Sequence, residues 1–343
     1  MANLNFLQPI WKDHYFDLGP NDGDTYPFRI VKMVDNKEEV IYEGVGVGRP
    51  GQDRVKVRIN DICADYIGGP FPSIWEEFTE EKINSFVLAQ YDSQDEAWIY
   101  YDNVQFYPNW SYEEGFNPRR VGLSCPINGR VTFDMPIPLS YIDPIEVEFE
   151  FLPSTGLQYF YPTKEGVGGT FMIALRDIYL GTDIDIYEQK EVVVYEQASP
   201  DEHLHYFPIN ANLKYALYYR NAYGGVDVFL IEGNHKEVDN LTRHTREVEY
   251  DNSDVMNRGR QNYVNEISKS LILHTSWLTD EEASRMHHLL NSNEVYLYDI
   301  PNEKMIPVIL KNTTTEYKTY KSNGCKLVDY AIEVEFANKR VRR

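Results

Sequence analysis

Short runs in which apolar and polar positions alternate with a period of two recur along this chain. They read "RVKVRIN" (54–60), "IEVEFEF" (145–151), "EVVVYE" (191–196), "KYALYYR" (214–220), "VDVFLIEG" (226–233), "EVYLYDI" (294–300) and "YAIEVEF" (330–336). Successive side chains of a strand point to opposite faces, so each run predicts a strand with one buried face. Turn signals such as "GPNDGD", "GRPGQD", "GGPFP" and "KEGVGG" sit between the runs and separate one strand from the next. The pattern predicts a mainly β chain made of multi-domain antiparallel β-sandwich modules. Two breaks, "IGGPFPS" (67–73) and "EQASPDEH" (196–203), divide it into modules expected at 1–75, 76–203 and 204–343.

Helical periodicity is scarce. Its clearest instance is "SWLTDEEASRMHHLLNSNEVYLYD" (276–299). Thr279 followed three residues later by Glu282 is a capping box, and Leu278 with Ala283 makes the hydrophobic staple around it. A helix is expected over 279–291, with Met286, Leu289 and Leu290 on its buried stripe and Asn291 to Asn293 closing it. A weaker one is expected in "NDICADYI" (60–67), capped by Asn60, with Ile62, Tyr66 and Ile67 facing inward. The polar run 234–266, "NHKEVDNLTRHTREVEYDNSDVMNRGRQNYVNE", has no sustained helical period. It reads as a long arm or an extended hairpin rather than a compact loop.

The charge balance narrows the partners. Against 33 Lys and Arg stand 54 Asp and Glu, a formal net charge of −21, so nucleic acid is repelled on average and no specific nucleic-acid binding is expected. The basic tail "NKRVRR" is a local exception. No apolar run approaches the roughly 18 residues of a spanning helix, so no membrane anchor is expected. Cys63, Cys125 and Cys325 form no CxxC pair, and "MANLNFLQPIW" carries no secretory signal, which together read as buried or reduced thiols made in a cytosol. The aromatic content, 14%, suits half-buried sheet faces, protein interfaces and sugar stacking alike.

Each candidate for chemistry fails a test of spacing. At about 100° per residue, His287 lies on the edge of the helix stripe and His288 on the solvent side, so the two cannot converge on one metal, and the order departs from HExxH. "HLH" (203–205) puts His203 and His205 on one strand face with no third ligand at a recognisable spacing. The DxD pairs of "NDGDTY" (21–26) and "GTDIDIYE" (181–188) continue into no calcium loop and read as turns. "GVGVGRPG" (44–51) lacks the Lys-Ser pair and the following helix of a phosphate cradle. No catalytic, cofactor-binding or metal-ligating residue is assigned, no cofactor is expected, and the chain is read as not an enzyme. An acidic glycoside hydrolase needs only two carboxylates about 5 to 9 Å apart, and no such pair can be nominated. A carbohydrate-binding or adhesin-type β protein would stack sugars on Trp98, Trp110 and Tyr112.

Several patches together resemble virion structural proteins of phages and prophages from Bacteroidetes bacteria. They are "FLQPIWKDHYFDL" with "VIYEGVGVGRPGQDRVKVRINDICADYIGG"; then "EAWIYYDNVQFYPNWSYEEGF" with "LSCPINGRV"; and finally "YYRNAYGGVDVFLIEGN" with "SWLTDEEASRMHHLLNSNEVYLYDIPNEKMIPVIL" and "YAIEVEFANKR". The resemblance implies a tail, collar or baseplate component whose C-terminal part is a tail-type β domain with one flanking α-helix. It further implies a homo-oligomeric ring touching other virion proteins. The virion tail or neck would be its place, after synthesis in the host bacterial cytoplasm, with passive contact with exiting DNA as its sole nucleic-acid encounter. The run 234–266 and the basic tail are then the expected contact elements.

Overall fold

The structure, a computed structural model, describes residues 7–8, 14–34, 37–67, 71–74, 76, 78–80, 84–106, 129–141, 147–152, 156–160, 169–178, 190–196, 203–209, 213–247, 260–311, 318–322, 325–338 and 340–342. The chain is mainly β, with several antiparallel sheets, as the alternating runs predict. It divides into two compact units. One takes Met1–Pro126, Phe133–Pro208 and Arg220–Asp227, and the other takes Ile127–Thr132, Ile209–Tyr219 and Val228–Arg343.

The first unit holds a five-stranded sheet in the order Leu7–Gln8, Ala97–Phe106, Asn84–Asp92, Thr25–Val34, Lys37–Val47. All its pairs are antiparallel except the first. The ribbon of Tyr15–Pro20 with Arg54–Arg58 and the short helix Asn60–Ala64 share a core with this sheet. Leu18, Val55, Ile59 and Cys63 meet Phe28, Ile30, Phe86 and Leu88 there, giving the two-layer packing of a sandwich. A three-stranded sheet (Pro136–Tyr141, Gly169–Ala174, Phe78–Glu80) and the antiparallel strands Gly156–Phe160, Val147–Leu152, Glu191–Glu196 and His203–Pro208 complete its strands.

The short helix corrects an expectation. Its N-cap is Ile59, and Asn60 lies inside the first turn, buried. The Asn60 Oδ1 instead accepts from the Arg58 Nε at 3.1 Å and the His14 N–H at 3.5 Å, tying the helix to its neighbours. Cys63 and Ala64 face the core while Tyr66 is exposed, because the helix stops at Ala64 and the eight-residue period has no helix to act on. Ile67 is buried as expected.

The second unit is organised by a larger sheet in the order Val226–Ile231, Tyr215–Arg220, Val295–Asp299, Lys304–Leu310, Ala331–Phe336, Arg260–His274, His235–Glu247, with Arg340–Arg342 also paired to Arg260–His274. Side chains of the strand Tyr215–Arg220 also reach the last strand of the order, His235–Glu247. The Tyr215 hydroxyl donates to Glu237 at 3.4 Å, and the Tyr215 ring sits edge-on to His235 at 5.1 Å. Leu217, Leu271, Leu273, Leu297, Val334 and Ile332 cover one face, against Met286 and Leu289 of the helix Asp280–Leu290.

Two strands of this sheet depart from the one-buried-face reading. Tyr215–Arg220 and Val226–Ile231 are buried at every position. On the face away from the helix, tyrosines pack on one another, with the rings of Tyr218 and Tyr298 edge-to-face at 5.8 Å. Tyr218 and Tyr298 thus pack together on a face whose alternation looked half-exposed.

A candidate assembly surface

The helix Asp280–Leu290 is held at its start by the capping box. The Thr279 Oγ1 accepts from the Glu282 N–H at 3.3 Å, and the Glu282 carboxylate accepts from the Thr279 N–H at 2.8 Å. Asn291 closes the other end, its N–H donating to His287 O at 3.1 Å. Glu282 has a second task that local sequence does not reveal. Arg130 reaches it at 2.5 Å and Glu232 at 2.8 Å, gripping strand and helix together. Burial works against the Arg130 charge, but the hydrogen bonds and charges of Glu232 and Glu282 outweigh it and raise its pKa. Gly129 permits the close approach, since a β-carbon there would run into the Arg285 guanidinium. Glu232 and Glu282 are the carboxylate pair that this part of the fold brings together, and the arginine bridges both. The arrangement clamps strand and helix together through one shared cation.

The sequence-level candidates fall apart in space. His287 is exposed and His288 half-buried, the reverse of the helical-wheel expectation. The reason is that Glu282 and Arg285 are buried too and turn the inward face toward His288. His205 Nδ1 pairs with Glu191 across two strands. Asp22 accepts from the Asp24 N–H at 3.1 Å and the Tyr26 hydroxyl at 3.3 Å, a closed turn. The glycine-rich 44–51 segment ends in a turn folded around Asn21, whose amide donates to Arg49 O at 2.8 Å and Gln52 O at 2.7 Å. Trp98 carries the Arg29 guanidinium over its ring at 4.5 Å, so one of its faces is taken. Trp110, Tyr112 and "GTDIDIYE" lie outside the described residues. The Cys63 thiol is buried and pushed up to about 12 by that burial, which leaves it protonated and a poor nucleophile. Among the described residues no cluster of His, Cys, Asp or Glu could hold a metal ion, and no helix is long and apolar enough to cross a membrane.

One end of the large sheet is open. There the core face opens into a groove of about 390 Å3, lined by Leu271, Leu297, Ile306 and Phe336 and rimmed by Glu237, Asp239, Asp299, Lys269 and Lys304. Beyond it runs the polar segment 234–266. His235–Glu247 pairs antiparallel with Arg260–His274 from His235↔Leu273 to Glu247↔Arg260, an extended hairpin. The second arm's free side is taken by Ala331–Phe336 at Ser270–His274, then by the basic strand Arg340–Arg342 at Asn265–Ile267. Past Asp239 the first arm is exposed except at His244, and Leu241 and Tyr263 are 46% and 51% exposed. A two- or three-stranded ribbon with both faces in water buries too little to hold its own shape.

No protein-family model matches the chain, and no curated protein matches it either.

Proposed function

We propose that this chain is a structural protein of a phage virion, a tail, collar or baseplate component that works by assembly. Its role is to bind copies of itself and neighbouring virion proteins, as a ring at the tail or neck, after synthesis in the host bacterial cytoplasm. The observation that carries this reading is the long hairpin. It projects an exposed ribbon past the covered core of its sheet, and the basic C-terminal strand the sequence nominated is laid along it. Such ribbons gain a packed face when a partner supplies it. The chemistry fits a scaffold. The carboxylates of the helix clamp are ion-paired with Arg130, and the net charge of −21 keeps passing DNA from sticking.

The test is particle composition together with deletion. Mass spectrometry of purified virions carrying this gene product should find it at fixed stoichiometry. The purified chain should form discrete oligomers by light scattering, and deletion of 240–262 should leave a folded monomer. A wild-type monomer absent from particles overturns the proposal.

A further inference from the structure

We propose that the first arm of the hairpin, His235–Glu247, is a self-recognition edge that pairs antiparallel with the same strand of a second copy about a two-fold axis centred on Leu241. This needs only the described strands, so it is independent of the virion reading.

The choice of edge follows from the sheet. A strand has two hydrogen-bonding sides, and on the second arm both are occupied within the chain, one by the first arm and the other by Ala331–Phe336 and Arg340–Arg342. The first arm stands last in the order, and among the described residues no further strand pairs with it. Every second residue therefore turns its N–H and C=O away from the ladder, the template that β-augmentation uses. The arm is also continuous. The irregularity in the ladder falls between His244 and Thr245, where the register skips Tyr263 of the second arm and no residue of the first.

The choice of partner follows from charge. An edge can be blunted by charges of any order, but here the order is antisymmetric. Glu237 and Asp239 precede Leu241, and Arg243 and Arg246 follow it. Antiparallel pairing of a strand with itself reverses that order on the second copy. With Leu241 opposite Leu241, Asp239 of each copy meets Arg243 of the other, giving two cross-strand ion pairs flanking an apolar contact. Asn240 then faces Thr242, and Val238 faces His244. The one like-charge meeting, Lys236 with Arg246, falls at the ends of the paired region. Sliding the register by two residues sets Leu241 against Asp239 or Arg243, and sliding by one puts opposite faces together. Residues Leu241 and Ile267 are partners across the hairpin, so joining two copies makes one continuous sheet with those side chains on one shared face.

A two-fold pairing closes after two copies. If the chain also forms rings, this edge joins two of them or two separate subunits, and a different surface closes the ring.

The experiment uses the full chain with Asp239→Arg, Arg243→Asp and an equimolar mixture of both, followed by sedimentation velocity. Either variant alone places like charges opposite each other twice, and the dimer dissociation constant should rise about tenfold or more. In the mixture every contact is again opposite in sign, and association should return. Leu241→Cys should form a disulfide between copies on mild oxidation, while Thr242→Cys should not, since directly opposed positions alone bring the two sulfurs together. Wild-type-like association of the single variants, no recovery in the mixture, or no Leu241→Cys cross-link overturns the pairing. Loss of oligomers on deleting 240–262 without any effect of Asp239→Arg would overturn this edge while leaving the hairpin's part in assembly intact.

Discussion

One strand, Arg260–His274, has two different fates along its length. At its C-terminal end Leu271 and Leu273 are 1% and 0% exposed, sealed with Met286 and Leu289 of the helix in one core. At its N-terminal end Tyr263 is half-exposed and the arm opposite carries an exposed Leu241. The hydrogen-bonded ladder is the same throughout, from Leu273 to Arg260. Pairing therefore makes the strand, while burial depends on what lies across the sheet face. The half with a helix over it is a core, and the half without one is a surface offered to something else.

That contrast can be broken by experiment, most sharply in the covered half. Leu289→Ala removes a fully buried side chain and should cost about 3 kcal/mol of unfolding free energy in a denaturant titration. Next comes the clamp. Arg130→Ala leaves Glu232 and Glu282 facing each other without their cation and should cost about 2 kcal/mol. Arg130→Lys should restore part of this, since one ammonium cannot serve both carboxylates in the same geometry.

A smaller effect is written in pH. Burial first, and the neighbouring Tyr298 second, push the Tyr218 hydroxyl well above its usual range. The folded protein thus keeps that proton where the unfolded chain, with an ordinary tyrosine, loses it above about pH 10. The unfolded state then binds fewer protons, so stability is intact below that pH and falls as pH rises, by up to about 1.4 kcal/mol per unit. Tyr218→Phe should flatten the alkaline slope in thermal melts taken across this range.

Thr279→Ala, which removes half of the capping box, should cost about 1 kcal/mol. Smallest of all, Leu241→Ala in the exposed ribbon should change the stability of the monomer by less than about 0.5 kcal/mol. If it cost as much as Leu289→Ala, the division between covered and offered halves would be wrong.

How much of this could be read in advance depended on range. The capping box was legible because Thr279 and Glu282 are three residues apart and their bonds form within one helical turn. The seven alternating runs were legible because a strand's period is local. The direction of burial on the helix was not, since it turns on Arg130, which lies 152 residues from Glu282. Nothing in the local sequence around Glu282 announces that partner, and the misassigned exposures of His287 and His288 follow from it. The Asn60 side chain departs from the capping expectation with one partner near, Arg58, and one distant, His14, 46 residues away.

By itself, then, the sequence determined that the seven alternating runs are strands and where the main helix starts and stops, since propensity, capping and turn chemistry act over a few residues. It also determined the polar, charge-ordered character of the hairpin. Only the tertiary structure decided which strand edges were filled, which faces were covered and which carboxylates were ion-paired. Those outcomes are set by neighbours far apart along the chain, and no local pattern carries their identity.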